Sequence, residues 1–86
     1  MDVFELLALK GTRVILKELS KNKRVKYSDL QKVVGFATTT TRALKAMEKQ
    51  GLVTKEVLNE PYRPVVYFLT KRGERLASVA EDLQKI

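Results

Sequence analysis

The chain has 86 residues, 44% of them hydrophobic and 31% charged, with 17 Lys and Arg against 10 Asp and Glu for a formal charge of +7. That length accommodates one core and no multidomain enzyme, and the apolar content separates the chain from disordered sequences. With no Cys and no His, it has no thiolate nucleophile, no disulfide and none of the usual zinc ligands, and the basic balance points to a polyanion such as nucleic acid or anionic lipid.

Asp2 and Glu5 form a capping-box pair that opens a helix running through Leu9. Its apolar residues Val3, Phe4, Leu6, Leu7 and Leu9 span more than one stripe, which predicts burial on two sides. Gly11 would cost a helix interior about 1 kcal/mol and separates a second helix, Thr12 to Ser20, whose Val14, Ile15, Leu16 and Leu19 keep helical spacing. Arg24-Val25-Lys26-Tyr27 is short and alternating and reads as an isolated extended segment. Ser28 through Gln31 is a capping-box pattern opening a short helix with Leu30, Val33 and Val34 inward and Gly35 as its stop.

A further helix begins within two or three residues. One hydroxyl of the run Thr38-Thr39-Thr40-Thr41 is expected to cap it, and it extends to Gln50, with Gly51 in the left-handed closing position. Thr40, Leu44 and Met47 recur at helical spacing and face the core, so Thr38, Thr39, Thr41, Arg42, Lys45 and Lys49 look outward. Leu52 to Leu58 and Val65 to Leu69 are strand-like and flank Asn59 to Pro64, a loop whose prolines do not suit a central strand. Thr70 caps a last helix with Leu76, Val79, Ala80, Leu83 and Ile86 along one side, close to a heptad seam. The fold class is mainly α with a small β-hairpin, a winged helix-turn-helix with an added C-terminal helix, and residues 1–86 form a single domain.

The charge is uneven along the chain. Residues 1–9 carry two acids and no base, residues 10–55 carry twelve bases against three acids, and residues 56–86 carry five of each. The basic excess therefore coincides with the helix-turn-helix, while the ends are neutral or acidic and apolar. No apolar run approaches the roughly 18 to 20 residues of a membrane helix, and the first five residues lack the basic region of a secretory signal. A cytoplasmic, nucleoid-associated protein with no membrane partner, no metal and no cofactor is expected.

Several stretches resemble the HxlR family of winged-helix transcriptional regulators and, more distantly, MarR and PadR proteins. They are Val14-Ile15-Leu16-Lys17-Glu18-Leu19, Lys26-Tyr27-Ser28-Asp29-Leu30, Leu44 through Val53 with its Gly51-Leu52-Val53, and Pro64 through Leu76 with Tyr67-Phe68-Leu69-Thr70-Lys71-Arg72-Gly73. The ordered set covers nearly the whole chain. The family usually carries an N-terminal Cys and a Gly-Lys-Trp element; here there is no Cys and the corresponding place is near Gly11, which excludes a thiol-based sensor.

The resemblance implies a homodimer that binds operator DNA. Pairing also suits a chain this short, which buries only about 60 to 65% of its unfolded surface. The expected interface is formed by Val3, Phe4 and Leu7 with Leu76, Val79, Leu83 and Ile86, making the outer helices dimerisation helices. On double-stranded DNA, Arg42 is the candidate for a bidentate base contact. Thr39 and Thr41 are candidates for a base edge or a thymine methyl, Thr38 for a DNA contact unless it serves as a cap, and Lys45 and Lys49 for phosphates. Arg63 with Tyr62 in the wing suits the adjacent minor groove, and Lys23, Arg24 and Lys26 with Ser28 suit the backbone. A sequence-independent DNA-coating protein and a winged helix used for protein or RNA contacts stay open at this point, and no small-molecule effector is specified.

Overall fold

A computed structural model describes the backbone of residues 3–61 and 63–84 and the side chains of residues 5–61 and 63–83. Along it run α1 (Val3–Ala8), α2 (Thr12–Lys21), β1 (Val25–Lys26), α3 (Tyr27–Val34), α4 (Ala37–Lys49), β2 (Val53–Val57), β3 (Val65–Leu69) and α5 (Lys71–Gln84). Gly35 and Gly51 adopt φ of 98° and 73°, left-handed values that a side chain disfavours, and each follows a helix end as its residue type predicts. The expected cap at Asp2 lies outside the described residues.

The core is one cluster. Leu6 of α1, Ile15, Leu16 and Leu19 of α2, Leu30 of α3, and Ala43, Leu44 and Met47 of α4 meet Leu52, Val53, Tyr67 and Ala77. Thr40 is also buried, as its spacing with Leu44 and Met47 requires. Thr12 is fully buried too, and its hydroxyl has no hydrogen-bond partner among the described atoms.

Three expectations need correction: the isolated segment, the inward Val33 and the helix caps. The segment at Arg24 to Tyr27 is not isolated: β1 pairs antiparallel with β3, giving a three-stranded sheet of order β1-β3-β2, and Tyr27 already belongs to α3. The spacing of Tyr27, Leu30 and Val34 at i, i+3 and i+7 explains this, because α3 turns these three residues toward its neighbours and leaves Val33 exposed. Neither Ser28 nor a threonine caps its helix. The N-cap positions are Lys26 and Phe36, both extended and without a side-chain cap bond, and the Thr40 hydroxyl instead donates to the Phe36 carbonyl at 2.7 Å. The face of α5 that meets the core runs through Gly73, Leu76, Ala77 and Ala80, while Val79 and Leu83, two of the expected interface residues, are exposed at 54% and 61%.

Thr70 does cap α5. Its Oγ1 accepts from the Gly73 N–H at 3.1 Å and donates to the Gly51 carbonyl at 2.6 Å, while its own N–H donates to the Leu52 carbonyl at 2.9 Å. The helix therefore lies against the backbone of the α4–β2 connection. A Cβ at Gly73 would stand 2.0 Å from the Leu52 carbonyl oxygen, an overlap that flexible side chains cannot relieve. Helix propensity alone would make Gly73→Ala stabilising by about 1 kcal/mol. We expect the opposite, a loss of about 2–3 kcal/mol from overpacking, read as a lower midpoint in chemical denaturation; a gain would detach α5 from the Leu52 backbone.

Candidate nucleic-acid interface

One face of α4 belongs to the core and the other to solvent. Thr40, Ala43, Leu44 and Met47 occupy the first, and Thr38, Arg42, Lys45 and Lys49, at i, i+4, i+7 and i+11, form an exposed stripe along the second. Among the described residues no carboxylate pairs with Arg42, Lys45 or Lys49. A shallow depression lined by Ala37, Thr38, Thr41, Arg42 and Lys45 lies at the N-terminal end of this stripe.

Thr39 and Thr41, expected to look outward, are half-buried. Thr39 is turned toward the α2 side, where its γ-methyl, with the Val34 side chain, closes the space beside Gly11. Thr41 meets α3, its Oγ1 lying 2.8 Å from the Tyr27 hydroxyl. The Tyr27 ring in turn sits 6.4 Å from that of Tyr67 on β3, centroid to centroid, so one side chain links the start of α3, the first turn of α4 and the middle of the sheet. The link from Tyr27 to α4 was not visible in the sequence because its hydroxyl partner is fourteen residues away; the Tyr27-Leu30-Val34 spacing was the available signal.

Arg63 is exposed near the tip of the β2–β3 hairpin with φ of 44°. The tip loop is closed where it leaves the strands by the Leu58 N–H donating to the Pro64 carbonyl at 2.9 Å, and within it the Arg63 N–H donates to the Glu60 carbonyl at 2.9 Å. Tyr62, its expected neighbour, lies outside the described residues. Lys26 and Ser28 are both exposed at the start of α3. Arg24 is otherwise engaged: its guanidinium pairs with Glu56 of β2 and lies 5.1 Å from the Phe68 ring centroid. At the turn between α3 and α4, Lys10 Nζ is 5.5 Å from the ring centroid of Phe36, which is itself 62% exposed.

The arrangement of two helices across a tight turn, an exposed basic stripe on the second and a three-stranded wing is that of a winged helix-turn-helix. The family model of HxlR-like helix-turn-helix proteins matches residues 6–86. The chain belongs to this family. A search of curated proteins finds no match. Among solved structures, this HxlR-like chain is similar to a putative MarR-family transcriptional regulator from Porphyromonas gingivalis W83, with a TM-score of 0.81 at 24% identity over 95% of this chain and 81% of that one. It is also similar to the reduced form of the transcriptional regulator YodB from B. subtilis, with a TM-score of 0.80 at 24% identity and the same coverage. A transcriptional regulator homologue from Pyrococcus horikoshii OT3 superposes with a TM-score of 0.82 at 20% identity, over 94% of this chain and 82% of that one. At these identities the likeness establishes the fold.

The HxlR-like sheet also holds a titratable group. Burial first, then the Glu48 carboxylate and Tyr27, raise the Tyr67 phenol above its ordinary pKa of 10.0. Folding therefore favours the neutral phenol. The stability this contributes is complete below about pH 10 and is lost as pH rises through the folded-state value. In denaturation midpoints measured from about pH 8 upward, wild type should decline more steeply than Tyr67→Phe; parallel curves would mean that the phenol ionises as freely in the fold as outside it.

Proposed function

We propose that the protein is a sequence-specific transcriptional regulator that binds double-stranded DNA as a homodimer. In this reading α4 enters the major groove and the wing follows the adjacent minor groove. The observation that carries the reading is the Thr38-Arg42-Lys45-Lys49 stripe, exposed, cationic and free of carboxylate partners among the described residues. Arg42 is the base-reading residue, since a guanidinium can bond guanine O6 and N7 together, and Thr38 and Thr41 flank it. Thr39, half-buried toward Gly11, is left a marginal contact. Lys45 and Lys49 meet phosphates, Lys26 and Ser28 meet the backbone beside the start of α3, and Arg63, with Tyr62, serves the wing. The working location is the cytoplasm, on the nucleoid.

Two substitutions separate this reading from sequence-independent coating of DNA. Arg42→Ala should reduce the preference for a selected duplex over random DNA by an amount on the order of 1–3 kcal/mol, with the melting temperature unchanged. Lys45→Ala should weaken binding to both duplexes and lower the slope of log affinity against log salt by about one. Equal losses on both duplexes for Arg42→Ala would reassign Arg42 to phosphate and favour the coating alternative.

The homodimer rests on the apolar surface beside α5. Val79 and Leu83 are exposed, and Leu83 lines a cleft of about 650 Å³ with Leu7, Leu16, Ala77 and Ala80 under a rim that includes Arg13, Lys17, Lys21 and Glu81. Leu7 and Leu76 are half-buried against the core and supply the inner edge of this surface. The side chains of Val3, Phe4 and Ile86, assigned to the same interface, lie outside the described ones. Leu83→Glu should give a monomer in light scattering with helical content retained, whereas an unchanged dimer would move the interface elsewhere.

A further inference from the structure

Of the α4 residues lining the depression, Thr41 has its hydroxyl engaged by another helix, α3. The Tyr27 hydroxyl donates toward the Ala37 carbonyl at 3.4 Å and lies 2.8 Å from Thr41 Oγ1. At 2.8 Å either hydroxyl can be the donor, and in both cases the Thr41 oxygen is engaged inside the fold. Thr41 nevertheless lines the depression at the head of the exposed stripe, together with Ala37, Thr38, Arg42 and Lys45. A threonine Cβ carries only an oxygen and a methyl group. With the oxygen held by Tyr27, the γ-methyl is the Thr41 group available for an apolar contact in the depression, whose lining also includes Ala37 one turn earlier.

We propose that Thr41 is a specificity-determining residue that recognises the 5-methyl group of a thymine through its own methyl, and that Tyr27 is the positioning residue that keeps the hydroxyl out of the groove. This rests on the reading of α4 as the DNA-contacting helix. The chemistry follows from the base edges. A free threonine hydroxyl both donates and accepts and so tolerates several bases, whereas the thymine methyl is the one apolar group on a major-groove edge. Locking the oxygen to Tyr27 turns a permissive contact into a selective one. The lock spans α3 and α4, so it also fixes the Thr41 rotamer before DNA arrives.

The test uses the full chain and a duplex selected by it from random DNA, with each thymine replaced singly by deoxyuridine, which removes only the methyl group. Wild type should show one thymine per half-site whose replacement weakens binding about three- to fivefold, the worth of one buried methyl. Thr41→Val, which keeps a methyl in that place, should retain the uracil sensitivity, and Thr41→Ser should abolish it. Tyr27→Phe should blunt the sensitivity and raise the relative affinity for other bases at that position, with a melting temperature close to wild type. Should Thr41→Val fail to fold, Thr41→Ser and Tyr27→Phe decide the matter between them. Retained sensitivity in Thr41→Ser, or a wild type that binds its selected duplex with no thymine sensitivity, would overturn the assignment. A wild type that selects no sequence at all would overturn the DNA reading itself on the first arm, before any variant is compared, and the assignment with it.

Discussion

Thr70 ties together four pieces of backbone that would otherwise be independent. Its hydroxyl bridges the Gly51 carbonyl and the Gly73 N–H, and its main-chain N–H reaches the Leu52 carbonyl. At this point α4 has just ended, β2 is about to begin, β3 has just finished and α5 starts. The Leu52 N–H donates back to Met47, so the end of α4 is held to the same junction. The geometry has no slack, because α5 approaches the Leu52 carbonyl closely enough that only a glycine fits at position 73. The angle between the exposed stripe of α4 and the wing is set here, and so is the direction in which α5 leaves the domain. Both candidate surfaces inherit their placement from this contact.

Tyr27 makes the second such constraint at the opposite end of α4. Its hydroxyl meets the first turn of α4 and its ring faces Tyr67 in the sheet, so α4 is fixed at its C-terminal end by Thr70 and Leu52 and at its N-terminal end by Tyr27. A helix held at both ends presents its side chains at defined positions, which lowers the ordering cost of docking a surface patch. Neither anchor touches the stripe of Arg42, Lys45 and Lys49. Those three positions can therefore differ in sequence without disturbing what holds the helix.

Much of this architecture was legible in the amino-acid order. The glycines at 35 and 51, the Thr40-Leu44-Met47 spacing, the limits of β3 and the capping role of Thr70 all depend on local chemistry, and local chemistry can be read one segment at a time. The misreadings share a different cause. Ser28 and the threonine run have the residue types of N-caps, but the helices start one or more residues earlier, because Tyr27 and Ala37 are pulled into the first turns by contacts with α4 and α3 respectively. The strand character of β1 came from pairing with β3, forty residues on. Leu76 and Val79 are equivalent by residue type, yet the closeness of Gly73 to Leu52 rotates α5 so that one packs inward and the other faces solvent. For the candidate site the stripe was visible, since it is the complement of a core pattern. The engagement of Thr41 was not, since nothing in the spacing joins it to Tyr27.

The same distinction revises the meaning of the charge. Twelve bases against three acids between residues 10 and 55 suggested a uniformly basic middle, but the fold does not spend these charges alike. Arg24 is drawn to Glu56 and the Phe68 face, Lys55 lies 3.9 Å from Glu48, and Lys10 stands over Phe36. Glu56 lies beyond the basic segment in sequence and returns to it only because the hairpin folds β2 back alongside β3 and β1. These exposed pairs each add little to stability. Their larger effect is on the field: Glu56 and Glu48 offset Arg24 and Lys55 beside the sheet, while Arg42, Lys45 and Lys49 keep no carboxylate partner among the described residues and form a row on α4. A polyanion approaching α4 meets a cationic row about two helical turns long, set within a basic middle whose attraction is longer-ranged and shared.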